Sequence, residues 1–320
     1  MKRFLIYVLM LALVLGAFSS CGTVEREDGV LSVVCTTFAL YDWTREIVGE
    51  REGVDIVLLA DGGKDFHSYE PSVRDMRVIS ECDLFIGVGG SSEEWLVDYF
   101  ETSQQIPRRT ILLTELLHEY LLEEPEVSRE PHSHEEEGHE HGTYDEHVWL
   151  SPALAQKACE VIMEVLCALD GAGAEHYTSG HAAYAEKLSA LSAEYARIAT
   201  EAAQKTLVFA DRYPFVYLLA ECGLEAYAAF PGCSSESEAS FETIAFLAKK
   251  TEELGLSHLM AVSGSDLKIA NTVAGAVKGD APTILLLDSL ETVSDKENES
   301  YLVRMSENAE VLGVALGVEK

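Results

Sequence analysis

The chain has 320 residues, 48% of them hydrophobic, with 55 acidic against 23 basic residues and a formal net charge of -32. This length suits two domains of ordinary size, and the composition excludes global disorder, collagen and coiled coil. So acidic a surface repels phosphate backbones and anionic substrates, which argues against nucleic-acid binding, and it tolerates cations.

The chain opens on Lys2 and Arg3, an apolar run from Phe4 to Phe18, the small residues Ser19 and Ser20, and Cys21. A basic start, a short apolar run and small residues before a cut describe a secretory signal over residues 1–20. The run is short for the ~20 residues of a membrane span. Phe18-Ser19-Ser20-Cys21 resembles a bacterial lipobox, although Phe18 stands where Leu is usual, and it makes Cys21 the lipidation site. Residues 21–29 read as a polar tether. The expected product is exported and lipid-anchored on the outer face of the cytoplasmic membrane, or on the periplasmic side. Six further cysteines, Cys35, Cys82, Cys159, Cys167, Cys222 and Cys233, form no CxxC pair. Export permits disulfides, with Cys222 and Cys233 a possible pair, and buried thiols are the alternative.

From Leu31 the pattern alternates. Apolar, β-branched runs predict strands over 31–35, 54–60, 84–88 and 110–113, and helical stretches lie between them. The helix over 71–82 has Pro71 in its favoured first turn. Residues 123–146 break the pattern with a polar, acidic, His-rich stretch, and a helix over 152–169 resumes. A segment rich in Ala and Glu follows Gly171 and Gly173. Its apolar stripe, Tyr177, Ala185, Leu188, Leu191 and Tyr195, predicts one long helix of about 40 Å at ~1.5 Å per residue. A second series then predicts strands over 206–210, 226–230, 258–262 and 283–287, with helices over 215–222, 241–254, 267–277 and 301–315.

The reading is therefore α/β, with two similar lobes of parallel sheet joined by a long rigid helix. The expected division is an N-terminal lobe over 30–173 with a His-rich loop at 131–141, a linker helix over 174–203, and a C-terminal lobe over 204–320. Ligands of open α/β sheets bind beyond the carboxyl ends of the strands. Two such edges facing each other place the site in a cleft between lobes.

Three side chains fall on that edge: His67 in the loop after the second strand, His147 just before a helix, and Asp288 at the end of Ile284–Leu287. Imidazole nitrogen and carboxylate oxygen suit Zn2+ and also Mn2+. The tract Pro131–His141 adds His132, His134, His139 and His141 among acidic residues, a composition that captures transition metals loosely. His118, His176, His181 and His258 read as structural.

With these residues in place the chain resembles the zinc/manganese solute-binding proteins of bacterial ABC transporters, of the zinc-uptake type. The resemblance rests on the lipobox, His67-Ser68-Tyr69-Glu70-Pro71-Ser72, the His-rich acidic loop and Asp145-Glu146-His147-Val148-Trp149-Leu150-Ser151-Pro152. The long linker helix, Leu287-Asp288-Ser289-Leu290 and Tyr301 with Met305 and Asn308 complete it, so that it spans 30–320. It implies metal ligation by His67, His147 and Asp288, with a third His or Glu after the first strand of the second lobe. There this chain departs: Phe209-Ala210-Asp211-Arg212-Tyr213 puts Arg212 at the ligand's place, and Arg stays protonated and cannot ligate. Asp211 is the expected substitute; the alternative pairs Arg212 with Asp288.

The implied function is capture of Zn2+, or Mn2+, and delivery to a membrane permease with its ATPase, without covalent chemistry. A surface metal buffer or adhesin is the rival binding role. A zinc hydrolase is the rival enzyme, but the chain has neither His-Glu-x-x-His nor Gly-x-Ser-x-Gly.

Overall fold

A computed structural model of the chain describes residues 29–103, 106–125, 144–234 and 238–318. The leader, Cys21, and His132, His134, His139 and His141 of the loop lie outside the described residues.

The first series runs β1 (Leu31–Cys35), α1 (Phe38–Val48), β2 (Val54–Leu58), α2 (Val73–Glu81), β3 (Leu84–Gly87), α3 (Trp95–Thr102), β4 (Arg109–Leu112) and the single turn α4 (Leu113–Leu116). Then come α5 (Pro152–Leu169) and the long α6 (Ala174–Glu201). The second series is β5 (Thr206–Tyr213), α7 (Val216–Cys222), β6 (Glu225–Pro231), α8 (Phe241–Leu254), β7 (His258–Val262), α9 (Lys268–Ala276), β8 (Thr283–Leu287) and α10 (Tyr301–Ala315). Each lobe holds a four-stranded sheet, in the orders β2-β1-β3-β4 and β6-β5-β7-β8, and every pairing is parallel. The same strand order twice is the physical content of the two similar lobes.

Local chemistry moves some boundaries. The second helix starts after Ser72 rather than at Pro71, because Ser72 and Asp75 form a reciprocal capping box that fixes the first turn. Strand β5 runs on to Tyr213 through a register shift between Phe209 and Arg212. That bulge carries Asp211 and Arg212 to the sheet edge. All six described cysteines are thiols, so Cys222 and Cys233 are not bridged.

One apolar core runs through both lobes, from Val33 and Ile86 of the first sheet to Phe209, Met260 and Leu287 of the second. Helix α6 spans it with Tyr177, Tyr184, Leu188, Leu191, Tyr195 and Ile198 inward; Tyr184, not Ala185, makes the inner contact. The Tyr195 hydroxyl donates to the Met305 carbonyl at 2.6 Å, which ties the helix to α10. At Gly180 the helix closes on α1: a Cβ there would lie 2.4 Å from the Ile47 carbonyl oxygen. Gly180→Ala is therefore expected to destabilise the protein by about 1–3 kcal/mol, although alanine is the better helix former. Chemical denaturation measures this, and an unchanged or raised midpoint would disprove the close approach.

Candidate metal centre

His67 is set by the loop after β2. The Asp65 carboxylate caps a 3-10 turn over Phe66–Ser68, accepting from the His67 amide at 2.9 Å and the Ser68 amide at 3.3 Å. Phe66 is buried and meets Trp149 edge-on, with ring centroids 5.7 Å apart. The cap and the aromatic anchor hold the imidazole between them.

His147 precedes a second 3-10 turn, Val148–Leu150, whose three side chains are fully buried. The Trp149 indole donates to the Ser289 carbonyl at 2.9 Å, and the Trp149 carbonyl accepts from the Tyr301 hydroxyl at 2.7 Å. This N-terminal segment is thereby fastened to the strand-end loop after β8.

Both imidazoles face a carboxylate on the Nδ1 side. His147 Nδ1 lies 3.0 Å from Asp145 Oδ1. His67 Nδ1 lies 2.6 Å from Ser92 Oγ and 3.1 Å from Glu146 Oε1, and Ser92 itself donates to Glu146. Acceptors on that side hold the ring proton on Nδ1 and leave the Nε2 lone pairs free, as second-layer carboxylates do for ligating histidines.

The two Nε2 atoms meet at 3.0 Å. Glu291 Oε1 lies 3.2 Å from His147 Nε2 and 3.5 Å from His67 Nε2. Neutral imidazoles offer that oxygen no proton, and it is buried without a hydrogen-bond partner. Two lone pairs and a carboxylate oxygen converging in a dry place repel unless a cation lies between them. Around a tetrahedral ion with bonds of about 2.0 Å, ligand atoms are separated by roughly 3.3 Å. The triangle has that edge length.

The alternative cation is a proton, and the pKa directions follow from it. Burial pushes both imidazoles down. For His67 the hydrogen bonds with Glu146 and Glu291 win and raise it. For His147 the charge and hydrogen bond of Asp145, with Cys233 and Glu291, raise it well above the ordinary value. Burial pushes the Glu291 carboxyl up, but once His147 and His67 carry the extra proton their hydrogen bonds and charge hold it well below the carboxylate range. Cys233 also borders the site: its Sγ and a ring nitrogen each of His67 and His147 all lie within 4.8 Å of one another.

The two expected carboxylates are used elsewhere. Asp288 is held by Arg304, with Nε to Oδ2 at 2.5 Å and Nη2 to Oδ1 at 2.7 Å. It also accepts the Leu290 amide at 2.8 Å, and its own backbone is gripped from both sides by Asn308. Asp288 thus shapes the turn, in which Leu290 takes φ 58°, that throws Glu291 into the site. Asp211 accepts from the Val262 amide at 3.0 Å and the Arg212 amide at 2.8 Å, which staples the bulge of β5 to β7. Arg212 reaches Glu291 Oε2 at 3.4 Å and not Asp288. Glu291 and Cys233 escaped the sequence reading. The signal for Glu291 was an acidic residue three places past Asp288, behind a buried Leu; Cys233 needed the pairing of β6 with β5. His176 is structural, facing the Val48 carbonyl at 2.8 Å from the end of α1.

Comparison with known proteins agrees with this architecture. A zinc-binding lipoprotein, AdcA, of Streptococcus pneumoniae is 31% identical over 294 residues, 92% of this chain and 57% of that protein, so the chain spans little more than half of that relative. The high-affinity zinc uptake system protein ZnuA of Bacillus subtilis is 27% identical over 304 residues, covering 95% of this chain and 93% of that one. The crystal structure of the Zn(II)-bound ZnuA-like domain of Streptococcus pneumoniae AdcA superposes with a TM-score of 0.71 at 27% identity, covering 90% of this chain and 99% of that domain. The sequence profile of the zinc-uptake complex component A periplasmic family matches residues 33–315, and the chain belongs to that family.

Proposed function

We propose that the protein captures Zn2+ at His67, His147 and Glu291 and hands it to the membrane permease of an ABC transporter. The observation that carries this reading is the triangle of two Nε2 atoms and Glu291 Oε1 at 3.0, 3.2 and 3.5 Å. Relatives named for zinc binding and zinc uptake support it. The acidic surface raises the local cation concentration, and the His-rich tract at 131–141 gathers metal for the site. Lipid on Cys21 keeps the protein beside its permease. Among the described residues no helix is long and apolar enough to cross a membrane. The role is binding and release, with no catalytic residue.

Calorimetric titration with Zn2+ and Mn2+ tests this. A tight one-to-one zinc site that survives deletion of residues 131–141 is expected. Binding that vanishes with the deletion alone would make the protein a loose buffer.

Proton and metal compete for the same nitrogens, which fixes the sign of a pH effect. The folded-state pKa values of His67 and His147 are raised. Their protonation thus stabilises the metal-free fold fully below the unfolded value of about 6.5, and this is lost as pH rises through the raised values. Zinc needs the deprotonated rings. The gain in melting temperature on adding zinc is expected to grow with pH across that window and to shrink toward about pH 5. A gain that stays constant over this range would exclude histidine ligation.

A further inference from the structure

Arg212 stands where the resemblance places the family's third donor, and a guanidinium cannot bind a metal. It turns instead to Glu291 Oε2. The next strand offers a replacement. β6 pairs with β5 in the register Arg212↔Phe230 and Tyr213↔Pro231, so the residues that follow leave the sheet at the same edge. The second of them is Cys233, whose sulfur shares the 4.8 Å cluster with His67 and His147. Gly232 permits this: a Cβ there would lie 2.9 Å from both Asp145 Oδ2 and His147 Cε1. Independently, Glu291 Oε1 points at the Nε2 atoms of the same two histidines, 3% exposed as a side chain and without a hydrogen-bond partner.

Resting on the reading that the site holds metal, we propose that Cys233 binds it as a thiolate in place of the missing imidazole, giving a centre of two histidines, one glutamate and one cysteine. Around tetrahedral zinc, sulfur and nitrogen sit about 3.5 Å apart, so Cys233 Sγ, which lies 3.5 Å from Glu146 Oε1, joins the site by a small closure of the Gly232–Ser234 loop. Two anionic donors neutralise the divalent ion, and Arg212 balances the outer oxygen of Glu291. The consequence is selectivity: thiolate suits Zn2+, whereas Mn2+ prefers oxygen donors. This chain should therefore reject Mn2+ more firmly than an imidazole or carboxylate in that place would allow.

The test loads the purified protein with Co2+ as a spectroscopic probe and titrates with Zn2+ and Mn2+, in the parent and in Cys233→Ser. The parent is expected to show a near-ultraviolet thiolate-to-cobalt charge-transfer band that Cys233→Ser loses while keeping weaker ligand-field bands. Zinc affinity should fall at least about 100-fold in the variant, beyond the usual loss of a second-layer partner. The ratio of zinc to manganese affinity should fall with it. A parent that binds cobalt with no charge-transfer band, or a folded Cys233→Ser with zinc affinity within about threefold of the parent, would overturn the cysteine assignment and leave the site itself standing. A parent that takes up neither metal would overturn both.

Discussion

His147→Ala is expected to abolish measurable zinc binding, a loss of at least about 1,000-fold, while Asp288→Asn binds zinc within about tenfold of the parent. Isothermal titration checks both. His147 is fully buried, and its Nε2 is the atom closest to both other corners of the triangle, at 3.0 and 3.2 Å. Its removal takes away a donor and the partner that fixes Asp145. It also leaves the Asp145 and Glu291 carboxylates facing each other across a cavity. Breaking a buried charge pair from one side costs about 3–5 kcal/mol, so the variant is also expected to melt lower. Circular dichroism of the metal-free variant separates the two effects, and native-like spectra with no zinc heat assign the loss to the site. Asp288 acts differently. Its oxygens are occupied by Arg304 and the Leu290 amide, so the asparagine variant weakens the turn behind Glu291 without removing a donor. Equal losses in the two variants would mean that Asp288 ligates after all.

What the sequence discloses here follows from how local each signal is. The two sheets, the long helix and the histidines at strand ends depend on short-range pattern: β-branched runs, helix formers between glycines, and a His placed by strand-to-helix order. The carboxylate does not. Asp288 and Glu291 both lie just beyond β8, and only tertiary partners decide between them. Arg304, thirteen residues past Glu291, takes the first and frees the second. The same holds for Asp211. It sits beside Arg212 in sequence, yet the bulge in β5 turns its carboxylate to the Val262 amide. Cys233 becomes a neighbour of the histidines only through the register of β6 on β5, which no one-dimensional period encodes.

The second large effect lies away from the metal, where helix α1 clasps the approach to α10. Ser300 offers no side-chain cap to that helix. The first amide, Tyr301 N–H, is instead taken at 2.8 Å by Asp42 Oδ2 of α1. A carboxylate supplied from another element thus does the work of a cap at the positive end of the helix. Asp42 also pairs with Arg45, whose guanidinium donates to the Lys296 carbonyl at 2.6 Å and to the Glu299 carbonyl at 2.8 Å. Burial pushes the Asp42 carboxyl up; the Tyr301 amide and Arg45 only partly oppose it. Asp42→Ala would leave a buried amide unsatisfied and a partly buried guanidinium without its acid. The expected cost is about 3 kcal/mol, or roughly 5–10 °C in melting temperature. Asp42→Asn, which keeps an acceptor for Tyr301, is expected to lose less than half as much. The clasp connects to the metal centre, because the Tyr301 hydroxyl holds the Trp149 carbonyl and the Trp149 indole holds Ser289, two residues before Glu291. Asp42→Ala should therefore weaken zinc binding by a few-fold, far less than His147→Ala does. A melting temperature within a degree of the parent would show that α1 contributes packing alone, through the Trp43–Tyr301 edge contact at 5.3 Å.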